Sequence, residues 1–117
     1  MTLRSGSTPP GAQRVVALDY EIAQEQASTL GRLGRALEAA LAALAAFDRA
    51  TGNDRARPAA ERKRLVEDAA AALWCFVVQR EACGLRDPRP VMRDYRVPAE
   101  VQNRMGIVTG QRRIASP

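Results

Sequence analysis

Six positions decide most of what this chain can fold into. Leu30, Leu33, Leu37, Ala40, Leu44 and Phe47 are separated by steps of 3, 4, 3, 4 and 3. On a helix these steps hold all six side chains to one narrow stripe. The pattern is a coiled-coil seam rather than a broad amphipathic face, and Leu41 widens it. A stripe like that has to be buried against another helix. The surrounding ALEAALAALAAF is dense in alanine, the strongest helix former. The spacing predicts a helix from about Asp19 to Arg49. Asp19 suits the N-cap, and Glu21 and Glu25 suit the positive end of the helix dipole. Gly52, after Thr51, suits a left-handed stop.

A second helix is predicted from Pro58 or Ala59 to Cys83, with Pro58 in its first turn and Gly84 as its stop. Leu65, Ala69, Ala72, Phe76 and Cys83 repeat the helical spacing. A connection this short between two long helices favours an antiparallel hairpin. Farther on, Asp87-Pro88 and Val97-Pro98 each look like a helix start. They predict short helices over 88–95, presenting Val91, Met92 and Tyr95, and over 98–105, presenting Val101 and Met105, closed by Gly106. No strand pattern and no convincing repeat occurs. The expectation is an all-α fold: a long antiparallel helical hairpin with one or two short C-terminal helices packed across it. Residues 1–14 read as a disordered arm, 15–106 as a single helical domain and 107–117 as a flexible basic tail.

The stretch LWCFVVQREACGLRD, residues 73–87, holds the only tryptophan and both cysteines. On a helical wheel Leu65, Val66, Ala69, Leu73, Phe76, Val77 and Cys83 share one sector facing the first helix. Trp74, Cys75 and Val78 fall outside it. A helix that is apolar on most sides is buried on most sides. Something beyond the first helix must then cover Trp74 and Val78. Two candidates stand: the short C-terminal helices folding back, or a second copy of the chain. Ala27, Gly31 and Gly34 lie together beside the Leu30–Leu37 line. Each glycine destabilises a helix by about 1 kcal/mol relative to alanine. Close approach of another helix is one reason to accept that, and a break near Gly31 is the other. The candidate interface is Ala27, Leu30, Gly31, Gly34, Leu37, Trp74 and Val78.

The chemistry is bounded mainly by what is missing. The chain has no histidine, which removes Ser-His and Cys-His catalysis, imidazole metal sites and the usual near-neutral general base. Cys75 and Cys83 are eight residues apart, about 12 Å of helical rise, too far for a disulfide within one chain. Two thiols alone make no zinc site, and they read as small buried thiols of a reducing compartment. Cys83, between Arg80 and Arg86, is the more reactive of the two if either is. GRLGRA lacks the residues of a phosphate-binding loop. Glu21 and Glu25 read as a solvated acidic patch, without the Glu-x-x-His of di-iron bundles. Arg80 is placed to pair with one of them, and Glu38, Glu67, Asp68 and Glu81 with Arg35, Arg64 and Arg80. No catalytic, cofactor-binding or metal-binding residue is expected.

Charge gives a weaker lead. The formal net charge is +5, and all but one of the 18 basic residues are arginine; GC-rich coding is one explanation. Arg86, Arg89, Arg93, Arg96, Arg104, Arg112 and Arg113 make the C-terminal third a candidate basic patch for nucleic acid or an acidic partner. Against nucleic acid, only Tyr95 is there to stack on a base. A helix-turn-helix reading of the last two helices fails on the short second helix, with only Gln102 and Arg104 to read bases. No apolar run approaches the ~18 residues that span a bilayer. The N-terminus lacks the apolar segment of a secretory signal, so a cytoplasmic protein is expected.

Three segments, ALDYEIAQEQASTLGRLGRALEAALAAL, ALWCFVVQREACGLRD and VMRDYRVPAEVQNRMG, in this order and spacing resemble a family of small bacterial helical proteins classed only as a domain of unknown function. The resemblance covers about residues 17–106. It implies an α-helical cytoplasmic protein and brings no activity, cofactor or catalytic residue. The functional expectation is a non-enzymatic protein–protein interaction module. It would self-associate, as a homodimer, through the Leu30–Phe47 seam or the Trp74 side, or bind another protein. The alternative is nucleic-acid or acidic-partner binding through the arginine-rich third. A thiol-based redox sensor comes third.

Overall fold

A computed structural model describes residues 10–52 and 59–105. Helix α1 spans Pro10–Thr51, α2 Ala59–Ala82 and α3 Arg89–Asp94. A last helix, α4, covers residues 99–105. No strand occurs among the described residues, and the fold is all-α as the sequence predicts.

α1 starts at Pro10 rather than at Asp19. Asp19 is therefore inside the helix and caps nothing, and residues 10–14 belong to the helix rather than to an arm. The remainder of the expected arm, 1–9, and the expected tail, 107–117, lie outside the described residues. The physical reason for the longer helix is cooperativity. Once the packed part of α1 has nucleated, each further residue adds a backbone hydrogen bond at little cost. Nothing between Gln13 and Leu30 is a proline or glycine, and Pro10 suits a first turn. α1 also runs unbroken through Gly31 and Gly34, so neither glycine ends it.

The direction of α2 follows from what its ends touch. Arg62, near its start, pairs with Asp48, near the end of α1. Phe76, near its end, lies against Gly34, in the middle of α1. The two helices are antiparallel. At 1.5 Å per residue, α1 is about 63 Å long and α2 about 36 Å, so α1 outruns its partner by roughly half its length. Leu37 and Leu44 are buried on α1, and Val66, Ala69, Ala70, Leu73, Phe76 and Val77 on α2. The predicted seam is the inner face of the hairpin.

α2 ends in a Schellman turn. Gly84 sits at φ +91°, Leu85 N–H donates to the Arg80 carbonyl at 2.8 Å and Gly84 N–H to that of Glu81 at 3.0 Å. Asp87 then starts α3, its Oδ1 accepting the Arg89 N–H at 3.0 Å in an Asx turn. α3 closes with the same Schellman pattern as α2: Val97 N–H donates to the Met92 carbonyl and Arg96 N–H to that of Arg93. Here the left-handed position is Arg96, at φ +51°, where glycine is the usual occupant. Burial of Val91, Val97 and Val101 holds this turn and α4 on the core. The short helices thus pack across the hairpin as expected.

Candidate interaction surface

Two groups of side chains fix the C-terminal helices to the hairpin. The first centres on Tyr95. Its ring meets Phe76 edge-on, with centroids 5.4 Å apart and planes at 72°. A Cβ added at Gly34 would lie 2.7 Å from the Tyr95 hydroxyl and 3.6 Å from the Phe76 ring. Gly34 is therefore a glycine because an aromatic pair sits on it. The Arg80 guanidinium lies over the Phe76 ring, 5.9 Å from its centroid. Its Nη2 donates to the Asp87 carbonyl at 3.3 Å, while its buried Nε has no hydrogen-bond partner. The expected pairing of Arg80 with Glu21 or Glu25 does not form, because α3 and its lead-in hold Arg80 instead.

The second group is a clamp built on Arg62. Its Nε and Nη2 donate to the Asp48 carboxylate of α1 at 2.8 and 3.1 Å. Its Nη1 and Nη2 donate to the Glu100 carboxylate of α4 at 2.9 and 2.6 Å. Those bonds hold the carboxyl groups of Asp48 and Glu100 below their ordinary range and raise the Arg62 guanidinium further. Arg62 thus ties three helices together. The bidentate geometry explains why arginine rather than lysine occupies the position. The clamp borders a groove of about 360 Å³ that Leu41, Leu44, Tyr95 and Pro98 also line.

The candidate interface divides. Gly34 and Leu37 are inside the chain's own core and cannot serve a second copy. Leu30 and Gly31 are half-buried at the end of the hairpin, and Ala27 is exposed beyond it. On the side of α2 that bears Trp74, α4 reaches at least as far as Glu67, seven residues before it, through Arg104. Tyr95, Val101, Met92 and Met105 pack on the core, Trp74 is half-buried and Val78 is 40% exposed. Cys75 and Cys83 are unpaired, as the spacing requires. Cys75 is exposed, contrary to the expectation of two buried thiols, and Gln79 Nε2 points at the Cys83 sulfur at 3.8 Å.

The basic patch is largely spoken for by carboxylates. Arg89 pairs with Asp87, whose carboxyl it holds at about 2, Arg93 pairs with Asp94, and Arg104 reaches Glu67 on α2 at 2.7 Å. The Arg104–Glu67 pair was not among the expected partners of Glu67. Arg86 and Arg96 are exposed, and Arg112 and Arg113 lie outside the described residues. No group of three or more potential metal ligands occurs among the described residues. No described helix is long and apolar enough to cross a membrane.

A further surface lies on the first part of α1. Residues 11–25 of α1 are exposed throughout. They include Val15, Val16, Leu18, Tyr20 and Ile22, at 57, 67, 55, 68 and 48% exposure. A signal for it was present in the sequence, as Val15, Leu18 and Ile22 keep helical spacing.

No curated protein and no solved structure matches the chain. A family model does, over residues 7–113, and its description is a family of unknown function, DUF6665. That span takes in the bare half of α1, the hairpin and both short helices, and on it the chain belongs to DUF6665.

Proposed function

We propose that the chain is a non-enzymatic protein–protein interaction module that associates with itself through the bare half of α1. One observation carries this reading. Five large apolar side chains stand 48–68% exposed on one end of a helix whose other end is packed. Exposed apolar residues scattered singly are ordinary, whereas a concentration of them on one element marks a contact surface. The absence of histidine and the engagement of Arg62 in two carboxylates fit a structural rather than a catalytic role. Two unpaired thiols, one of them exposed, fit a reducing cytoplasm.

Sedimentation velocity across about 1 to 100 µM, the range of modest interfaces, tests this directly. A concentration-dependent shift from monomer to dimer is expected. A single monomeric species throughout would sink the reading. Binding to nucleic acid or an acidic partner is the other reading, and within the described residues it rests on Arg86 and Arg96. Its sign would be heparin retention that falls steeply with salt and survives removal of the last twelve residues.

A further inference from the structure

A second seam runs along the outer side of α1. Val15, Leu18, Ile22, Glu25, Thr29 and Arg32 follow one another at steps of 3, 4, 3, 4 and 3. The same alternation continues without a fault through Ala36, Ala39 and Ala43, then Ala46 and Ala50. Of these eleven positions all but Thr29 are exposed. The inner seam that packs on α2 is a different stripe, so the hairpin leaves this one uncovered. It is lopsided in a specific way. Large apolar side chains occupy its first part, alanines its last part, and between them Glu25 and Arg32 stand on either side of Thr29.

We propose that two copies pair back to back, antiparallel, about a two-fold axis at Thr29. The pairing deepens the self-association reading and rests on it. A two-fold axis there carries the bulky end of one stripe onto the alanine end of the other. Val15 comes opposite the partner's Ala43 and Ile22 opposite the partner's Ala36. Leu18 faces the space between the partner's Ala39 and Ala43. Alanine allows the helix axes to come close, and the large side chains fill what remains. In the same register Glu25 falls one residue, about 1.5 Å along the axis, from the partner's Arg32, and Arg32 equally near the partner's Glu25. A parallel pairing would instead set glutamate beside glutamate and arginine beside arginine. The stripe is thus complementary to itself in one orientation only. A contact about 50 Å long and about 10 Å wide buries on the order of 1,000 Å² over both copies, about the least a specific interface needs.

The test exchanges the two charges. Glu25→Arg and Arg32→Glu are each prepared alone and mixed one to one, with sedimentation equilibrium on the wild type alongside and helicity checked by circular dichroism. The pairing predicts that each variant alone dimerises about tenfold more weakly or worse, and that the mixture recovers wild-type affinity as a heterodimer. Ala39→Trp is a second probe. Its position is exposed in the single chain, so folding is unchanged while the close approach is blocked and dimerisation lost. A wild-type dimer indifferent to both charge variants, or a mixture that does not recover, overturns this pairing and leaves self-association standing. A wild-type monomer at all concentrations overturns both.

Discussion

The two halves of α1 have much the same kind of sequence and opposite fates. From Leu30 to Thr51 the helix gives its apolar stripe to α2, and Leu37 and Leu44 disappear from solvent. From Gly11 to Ile22 it buries its apolar side chains against nothing among the described residues, and every residue is exposed. Helix α2 is simply too short to reach. Helical spacing therefore tells that a face wants a partner, while the length of the neighbouring element decides whether the partner is internal. The packed half holds the fold together, and the bare half is free to do something else.

The sharpest way to separate the halves is to shorten one leucine in each. Leu37→Ala or Leu73→Ala, both fully buried, should destabilise the chain by about 2–5 kcal/mol, read from urea unfolding. Leu18→Ala should leave unfolding of the monomer within about 0.5 kcal/mol and weaken self-association. A large stability loss from Leu18→Ala at concentrations where the chain is monomeric would erase the distinction.

The two glycines at the junction sharpen it further, since they should respond with opposite signs. Gly34→Ala puts a methyl group 2.7 Å from the Tyr95 hydroxyl, which should destabilise by about 1–3 kcal/mol. At Gly31 the nearest atom is Nη1 of the exposed Arg35, at 3.3 Å, the far end of a flexible side chain. Gly31→Ala should therefore stabilise by up to about 1 kcal/mol. Thermal melts of the two variants decide.

A smaller effect belongs to the clamp at the packed end. Arg62, Asp48 and Glu100 are each more than a third exposed, so water screens them, and Arg62→Met should cost about 1 kcal/mol at neutral pH. Asp48 and Glu100 have folded-state pKa values below their unfolded ones. Their contribution is complete above the ordinary carboxylate range of about 4 and is lost as pH falls through the lower folded values. The gap between wild type and Arg62→Met should therefore close between about pH 5 and pH 2. A gap that stays constant in acid would mean that Arg62 acts through packing alone. Smallest of all, Arg96→Gly should raise stability by about 0.5–1 kcal/mol by relieving the left-handed backbone at that turn.

The sequence made the hairpin legible because its evidence is local. The 3-4 steps from Leu30 to Phe47, Gly52 and Gly84 as stops, and prolines at 88 and 98 as starts are all read within a turn or two. The partners of Gly34 and Arg62 were not legible for the opposite reason. Tyr95 and Glu100 come from far along the chain, and the position of Glu100 depends on how the turn at Arg96 aims α4. The crowding of apolar residues around Trp74 signalled a need for cover that the fold meets in part. Two neighbours do pack on α2, with Arg104 of α4 reaching Glu67 on the side that bears Trp74, and Val78 stays 40% exposed. The bare half of α1 was hidden by a boundary. With Asp19 taken as a cap, Val15 and Leu18 fall outside or at the edge of the helix, and their alignment with Ile22 goes unnoticed.

Hydrogen exchange of the intact chain, followed residue by residue as concentration is raised through the micromolar range, bears most directly on the bare half. Amides of residues 15–29 should be weakly protected in dilute solution and gain protection as copies associate, while those of 33–47 remain protected at every concentration. If residues 15–29 exchange at the same rate at all concentrations while the rest of the helix holds, that half of α1 has no second copy to meet.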